Sequence, residues 1–291
     1  MNISLCTISF RHHLLSLEQI AHWASRNGFQ GIEIWGAHAR HIPFASGYDA
    51  RWLAEFGLHV PMISDYLPLD RPDTLDRKTV AALDQANRWG ADNIRTFAGK
   101  TASGKSSPEA RAEITKALRR ACRQIGEQGK WLLVETHPGT LADSLESTVQ
   151  LIEQVDHPAL AINFDALHIW EGGDDPVIAR KVLLPKIRNY HLKNISDKSL
   201  LPVFAPGNIY DAAGTRQGIV PLFEGQMPYG GLIAEIADET EANLSLEWFG
   251  DNVFQTLEHD RAALVSQLSS AGTLRDISDE PLLSSIGLFP R

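Results

Sequence analysis

The stretches that decide the fold are WLLVE (131–135), LAINFD (160–165), RNYHLK (188–193) and LSLEW (244–248). Each is a short run of mostly apolar residues, and each carries a charged residue or a histidine at or near its end. Runs of this length and composition are typical of β-strands that are buried on both faces. They therefore predict parallel strands at the core of the protein.

Four further runs of the same kind come earlier in the chain, which makes eight strands. They are ISLCTIS (3–9), GIEIW (31–35), HVPMIS (59–64) and NIRTF (93–97). The segments between the runs have helical periodicity, most clearly at 16–28, 76–90, 106–129 and 144–155. Strands that alternate with helices predict an α/β fold, and eight such units can close into a (β/α)8 TIM barrel. An open doubly wound sheet is the competing fold, but the chain has no GxGxxG phosphate loop.

We expect a single domain over residues 1–291, because no linker divides the chain and barrels of about 250 residues commonly form one unit. The strand spacing breaks once, at 194–243, where glycines and prolines accumulate. Long connections of this kind lie over the active face of barrels, so we expect a loop that covers the site rather than an inert surface loop. The C-terminal tail from about residue 275 is less regular, and it either packs under the barrel or joins a contact in a homo-oligomer.

The composition excludes several classes of protein. A formal net charge of -9 argues against a nucleic-acid partner, although a local basic pocket could still accept a small anion. The two cysteines form no CxxC or zinc pattern and indicate free thiols in a reducing compartment. No apolar stretch of about 18 residues and no signal-peptide pattern is present, so we expect a cytoplasmic protein that does not enter a membrane.

Four polar residues end successive strands, namely Glu135, Asp165, His191 and Glu247. The active sites of barrels form at these strand ends, so the four side chains are expected to converge. Three carboxylates in one place would repel each other, and a divalent cation would neutralise them. Oxygen ligands with one imidazole suit Mn²⁺, Mg²⁺ or Co²⁺, so the sequence predicts one such ion.

Further polar residues lie close to the predicted metal ligands. His137 and Lys193 each follow a ligand by two positions and so share its face of the strand, and His168 follows Asp165 by three. Arg95 lies within its strand, and Tyr66 comes just after another. The remaining histidines, such as His41 and His157, are typical of a protein surface.

The chain resembles the xylose-isomerase-like superfamily of metal-dependent barrels and, within it, the bacterial 3-dehydroshikimate dehydratases of the petrobactin-siderophore type. The segments that carry the resemblance span nearly the whole chain. They are SLCTISFRH (4–12), NGFQGIEIWGAHA (27–39), MISDYL (62–67), IRTFAG (94–99), ETHPGTL (135–141), NFDALHIWE (163–171), YHLKNIS (190–196), YDAAG (210–214), GIVPLFEG (218–225) and SLEWFG (245–250).

The resemblance implies a hydro-lyase that removes water from 3-dehydroshikimate to give protocatechuate (3,4-dihydroxybenzoate), for siderophore assembly or aromatic catabolism. It implies the same four metal ligands, and it places Tyr66, Arg95, His137, His168 and Lys193 against this small anionic substrate. A neutral histidine is the natural base near pH 7, and we assign that role to His137. His168 is then the acid or a positioning group, and Lys193 protonates the leaving group or holds an oxygen. Arg95 suits the ring carboxylate, or else pairs with a carboxylate inside the barrel.

The same ligand set permits other functions. A metal-dependent sugar or keto-sugar isomerase or epimerase would use similar chemistry without loss of water, and this is the main alternative. An abasic-site endonuclease would need more metal ligands and a basic surface, which the net charge of -9 disfavours. A barrel that only binds ligands would have lost some of the four metal ligands, and all four are present.

Overall fold

Eight parallel strands close into a barrel in the computed structural model of the protein, which describes residues 1–278. The barrel strands are β1 (Asn2–Cys6), β2 (Gly31–Trp35), β3 (Met62–Ser64), β4 (Asn93–Thr96), β5 (Trp131–Glu135), β6 (Leu160–Asp165), β7 (Ile187–Leu192) and β10 (Asn243–Leu246). Neighbours in sequence pair with each other, and β10 closes the ring by pairing with both β7 and β1. The predicted TIM barrel is therefore confirmed.

Successive side chains along each strand point alternately outward, toward the helices, and inward, toward the centre of the barrel. On β5, Leu132 and Val134 belong to the large apolar core between the strands and the outer helices. Leu133 instead packs with Met62 and Ala161 in a small cluster of its own. Because the side-chain period of a strand is two, Glu135 shares the face of Leu133 and lies within the ring.

The helices surround the ring and begin where the sequence supplies capping groups. They are α1 (Leu17–Arg26), α2 (Gly36–His41), α3 (Ala50–Ala54), α4 (Pro72–Trp89), α5 (Pro108–Gly126), α6 (Leu145–Val155), α7 (Ala166–Glu171), α8 (Pro176–Leu183), α9 (Pro206–Tyr210), α10 (Gly230–Ile236) and α11 (Val253–Ser278). Ser16 and Gln19 form a capping box at α1. Helix α4 starts four residues before the predicted Asp76, because a proline fits the first turn of a helix.

The long connection 194–243 is more ordered than a plain loop. It contains the short antiparallel strands β8 (Asn194–Ile195) and β9 (Ile219–Val220), a 3-10 helix at Lys198–Phe204, and helices α9 and α10. Asn194 holds the connection together, since its amide donates to the carbonyl oxygens of Leu222 and Met227. The connection is therefore a folded layer on the barrel.

The last helix, α11, continues through Ser278, beyond the expected start of the tail at about residue 275. The rest of that tail, residues 279–291, lies outside the described residues. Within residues 1–278, none of the helices combines the length and the apolar character that a membrane crossing needs.

Candidate active site

The four predicted metal ligands converge at the carboxyl ends of their strands. Asp165 on β6 lies opposite His191 on β7 in the strand register. Glu135 ends β5, and Glu247 directly follows β10, where its backbone N–H donates to Leu192. All four residues are at least 94% buried, so their charges interact with little screening by water.

His191 lies at the centre of this group, and its two ring nitrogens have different surroundings. Nε2 is 2.9 Å from both carboxylate oxygens of Glu33. Nδ1 is buried and has no hydrogen-bond partner within residues 1–278. It faces Glu247 Oε1 at 3.5 Å, Glu135 Oε2 at 3.7 Å and Asp165 Oδ2 at 3.9 Å. An orphaned imidazole nitrogen that faces three carboxylates fits a divalent cation with one nitrogen and three oxygen ligands.

The balance of buried charge also fits a cation. Four carboxylates lie in the group, because Glu33 joins the three predicted ones, and they face two buried cations, Arg95 and Lys193. Burial lowers the pKa of His191, but Glu247, Glu33 and Glu135 outweigh it and raise that pKa to about 9. Three carboxylate oxygens lie within 4 Å of Nδ1, so a positive charge is favoured there.

Lys193 is inserted between two of the predicted ligands. Its ammonium group donates to Asp165 Oδ2 and, at 2.7 Å, to Glu247 Oε2. Burial lowers the pKa of Lys193, but these carboxylates outweigh it and hold the pKa well above the ordinary value. Lys193 is therefore a permanent cation that organises the carboxylates.

His137 and His168 lie side by side next to this group, with ring centroids 4.5 Å apart. His137 Nδ1 lies 2.7 Å from the carbonyl oxygen of Pro138, which can only accept, so Nδ1 carries the proton. Burial and the neighbouring His168, Lys193 and Arg95 lower the pKa of His137 well below its ordinary value. His137 is therefore neutral, with a free lone pair on Nε2, which is the form that a general base requires.

His168 is held between two carboxylates. Its Nδ1 lies 2.8 Å from Glu171 Oε2, one turn further along α7, and its Nε2 lies 3.8 Å from Asp165 Oδ2. Because a carboxylate only accepts, Nδ1 donates to Glu171. This arrangement fixes the orientation of the ring.

Arg95 forms the ion pair inside the barrel that was the alternative to a role in substrate binding. Its Nε is 2.9 Å from Glu135 Oε2. Its guanidinium lies over the rings of Tyr66 and Phe97, at 4.7 and 5.0 Å from their centroids. Arg95 nevertheless lines the cavity above the site, so the ion pair does not remove it from the reach of a ligand.

Residues 204–210 of the long connection form a partial cover over the cavity. Phe204, Ile209 and Tyr210 line it, together with Phe249 from the loop after β10. The Tyr210 hydroxyl lies 2.9 Å from the Tyr66 hydroxyl, and the Tyr210 ring stacks on Trp35. The cavity thus joins charged groups at its base with aromatic rings on its sides.

Arg11 ties this cover to the barrel. Its Nε donates to the carbonyl oxygen of Ile209 at 2.6 Å, and a terminal nitrogen reaches that of Phe249 at 3.3 Å. The guanidinium also lies over the Phe249 ring, 5.0 Å from its centroid. One side chain from the loop after β1 therefore connects two segments that line the cavity.

All nine site residues that the sequence predicted lie in or directly beneath this cavity. The sequence reasoning missed Glu33, Glu171 and Tyr210. Glu33 had a signal, because it is a charged residue inside the apolar run GIEIW (31–35). Glu171 and Tyr210 had a weaker signal, because each lies in a segment that carries the family resemblance, NFDALHIWE (163–171) and YDAAG (210–214).

Comparison with known proteins agrees with the barrel. The model of the family described as xylose isomerase-like TIM barrel matches residues 21–270. The chain is 43% identical over 276 residues to 3-dehydroshikimate dehydratase of Bacillus anthracis, covering 92% of this chain and 98% of that protein.

Solved structures agree as well. The crystal structure of the probable 3-DHS dehydratase AsbF of Bacillus anthracis, described as involved in petrobactin synthesis, has a TM-score of 0.87 at 43% identity. It covers 91% of this chain and 99% of that one. The structure of L-ribulose 3-epimerase has a TM-score of 0.76 at 15% identity, covering 97% of this chain and 99% of that one, which is a likeness of fold alone. The chain therefore belongs to the xylose isomerase-like TIM barrel family.

Proposed function

We propose that the protein is a 3-dehydroshikimate dehydratase, a hydro-lyase that removes water from 3-dehydroshikimate and yields protocatechuate. The observation that carries the proposal is the 43% identity, over nearly the full length of both chains, to the Bacillus anthracis dehydratase. The site supports it, because a strongly acidic centre lies beside two histidines in a cavity with aromatic walls.

We propose that Glu135, Asp165, His191 and Glu247 hold one divalent cation, of which Mn²⁺, Mg²⁺ and Co²⁺ are the candidates. The orphaned Nδ1 of His191 among three carboxylate groups supports this assignment. When bound, such an ion supplies Lewis acidity that polarises the ring ketone of the substrate. The carboxylate-rich ligand set favours these ions over metal ions that prefer thiolate ligands.

The residues of the chain supply the proton transfers. His137, neutral and with Nε2 free, removes a ring proton made acidic by the neighbouring ketone. His168, backed by Glu171, gives a proton to the departing hydroxyl, so that water leaves and a ring dienone forms. The ring becomes aromatic when a second ring proton leaves carbon and the ketone oxygen takes up a proton. Lys193 holds a substrate oxygen, and Arg95 and Tyr66 at the cavity wall orient the ring carboxylate.

The wider context is also a proposal. Assembly of a siderophore is the favoured use of the product, because the similar AsbF structure is described as involved in petrobactin synthesis. Aromatic catabolism is the alternative use. The cytoplasmic location and the homo-oligomer remain predictions from the sequence.

The test is to load the protein with Mn²⁺, Mg²⁺ or Co²⁺ in turn, add 3-dehydroshikimate, and follow protocatechuate by ultraviolet absorbance. We expect product that depends on metal and disappears after chelation and in Glu135→Gln. Folded, metal-loaded protein that forms no product would overturn the dehydratase assignment. A panel of keto-sugars would then test the isomerase or epimerase alternative.

A further inference from the structure

Glu33 is a buried carboxylate at the base of the site for which the proposed chemistry has no use. It lies in the middle of β2, and none of its surface is exposed to solvent. Leaving a charged group in this position is costly unless it has partners. Its partners are therefore informative about its role.

Both carboxylate oxygens of Glu33 are engaged. Each lies 2.9 Å from His191 Nε2, and Oε1 also accepts hydrogen bonds from the Ser64 hydroxyl and, at 3.3 Å, from the Cys6 thiol. Ser64 and Cys6 belong to the strands on either side of β2. The carboxylate is thus fixed from both neighbouring strands.

This contact decides which nitrogen of His191 faces the ligand group. A carboxylate only accepts, so Nε2 must carry the proton, and the ring is then held with Nδ1 toward Glu135, Asp165 and Glu247. We infer that Glu33 is a positioning residue, which fixes the orientation of His191 so that Nδ1 can bind the metal. The inference rests on the proposed metal site.

Glu33 could support metal binding in two ways, and two substitutions distinguish them. It could hold the ring through the hydrogen bond, or it could attract the cation only through its negative charge. Glu33→Asp keeps the charge but withdraws the carboxylate by one methylene. Glu33→Gln removes the charge but keeps an oxygen that can accept from Nε2.

The experiment measures Mn²⁺ affinity by isothermal titration calorimetry, well below the unfolding temperature of each variant. We expect wild type to bind most tightly and Glu33→Gln to be intermediate. We expect Glu33→Asp and Glu33→Ala to be weaker by about 10- to 100-fold, as is common when a carboxylate that supports a metal-binding histidine is lost. Co²⁺ spectra should shift in Glu33→Asp as the nitrogen ligand is displaced.

The control is Asp260→Asn, which alters another buried carboxylate, on α11, that accepts a hydrogen bond from Leu222. It should bind Mn²⁺ as wild type does. Wild-type affinity in Glu33→Asp would overturn the positioning role, and so would a weaker affinity in Glu33→Gln than in Glu33→Asp. Failure of the wild-type protein to bind any of the three ions would instead overturn the metal site itself, and the inference with it.

Discussion

The imidazole of His137 donates its Nδ1 proton to the carbonyl oxygen of Pro138, the next residue, across 2.7 Å. The hydrogen bond is local, because it joins consecutive residues. It leaves Nε2 as the only nitrogen that can accept a proton from a ligand. The backbone of the loop after β5 therefore sets the chemical form of the proposed base.

Replacing His137 by Gln should lower kcat by about 10²- to 10⁴-fold, which is the usual contribution of a general base. Mn²⁺ affinity should stay at the wild-type value, because His137 is not among the proposed ligands. Turnover by ultraviolet absorbance and calorimetry with Mn²⁺ check the two parts. His41→Gln, at an exposed position on α2, is the control and should retain full activity. Loss of metal binding in His137→Gln would instead make His137 a ligand.

Glu171→Gln should lower kcat about tenfold and change KM little. The hydrogen bond from His168 to a carboxylate is worth about 1.5 kcal/mol more than one to a neutral amide oxygen in a partly buried site, which corresponds to this factor. His168→Asn should cost more, because it removes the ring itself. Equal rates for Glu171→Gln and wild type would show that Glu171 does not support His168.

Arg11→Gln should raise KM more than it lowers kcat. The guanidinium holds Ile209 and Phe249 beside the cavity, and without it both segments lose these hydrogen bonds and are held less firmly. The free energy of unfolding should fall by about 1 to 3 kcal/mol, as is typical for lost charged hydrogen bonds. Steady-state kinetics and urea unfolding measure the two effects. The exposed Arg77→Gln on α4 is the control, and a matching change in it would contradict the role of Arg11.

Asp260→Asn should stabilise the protein more at pH 8 than at pH 5. Burial raises the pKa of Asp260 to about 6, above its value in the unfolded chain. The folded state thus binds the proton more tightly, and stability from this group is lost as the pH rises through that value. The gain in the variant should be about 1 kcal/mol larger at pH 8, measured by urea unfolding. A gain that does not depend on pH would contradict the shifted pKa.

The barrel could be predicted from the sequence because its signal is repeated eight times. Each of the eight barrel strands overlaps one of the predicted runs, although the ends of strand and run differ. The run 3–9, for example, becomes strand β1 followed by a 3-10 turn at Thr7–Phe10. Such ends depend on hydrogen bonds with neighbouring strands, which a single sequence does not contain. The fold of the connection 194–243 could not be predicted for the same reason, since Asn194 organises it through contacts with residues up to 33 positions away.

The site could be predicted where residues mark the end of a strand. Glu135 and Asp165 have this signal, and the fold brings them together. Glu33 lies in the middle of its strand and not at the end. Its role depends on its contact with His191, which is 158 residues away in the chain. The sequence left two roles open for Arg95, the substrate carboxylate or an ion pair inside the barrel. The structure shows the ion pair with Glu135, and the substrate role stays a prediction. The contact between Glu33 on β2 and His191 on β7 joins strands that are not neighbours in the ring, so it depends on the closed barrel and not on any one strand.

The pairing of β1 with β10 joins Asn2 to Asn243, across almost the whole described chain. During synthesis on the ribosome, Glu135, Asp165 and His191 emerge well before Glu247. The complete set of proposed ligands therefore exists only after the last strand has been made and has entered the ring. A growing chain that lacks β10 therefore cannot offer the complete set of proposed ligands, however much of the barrel has already been made.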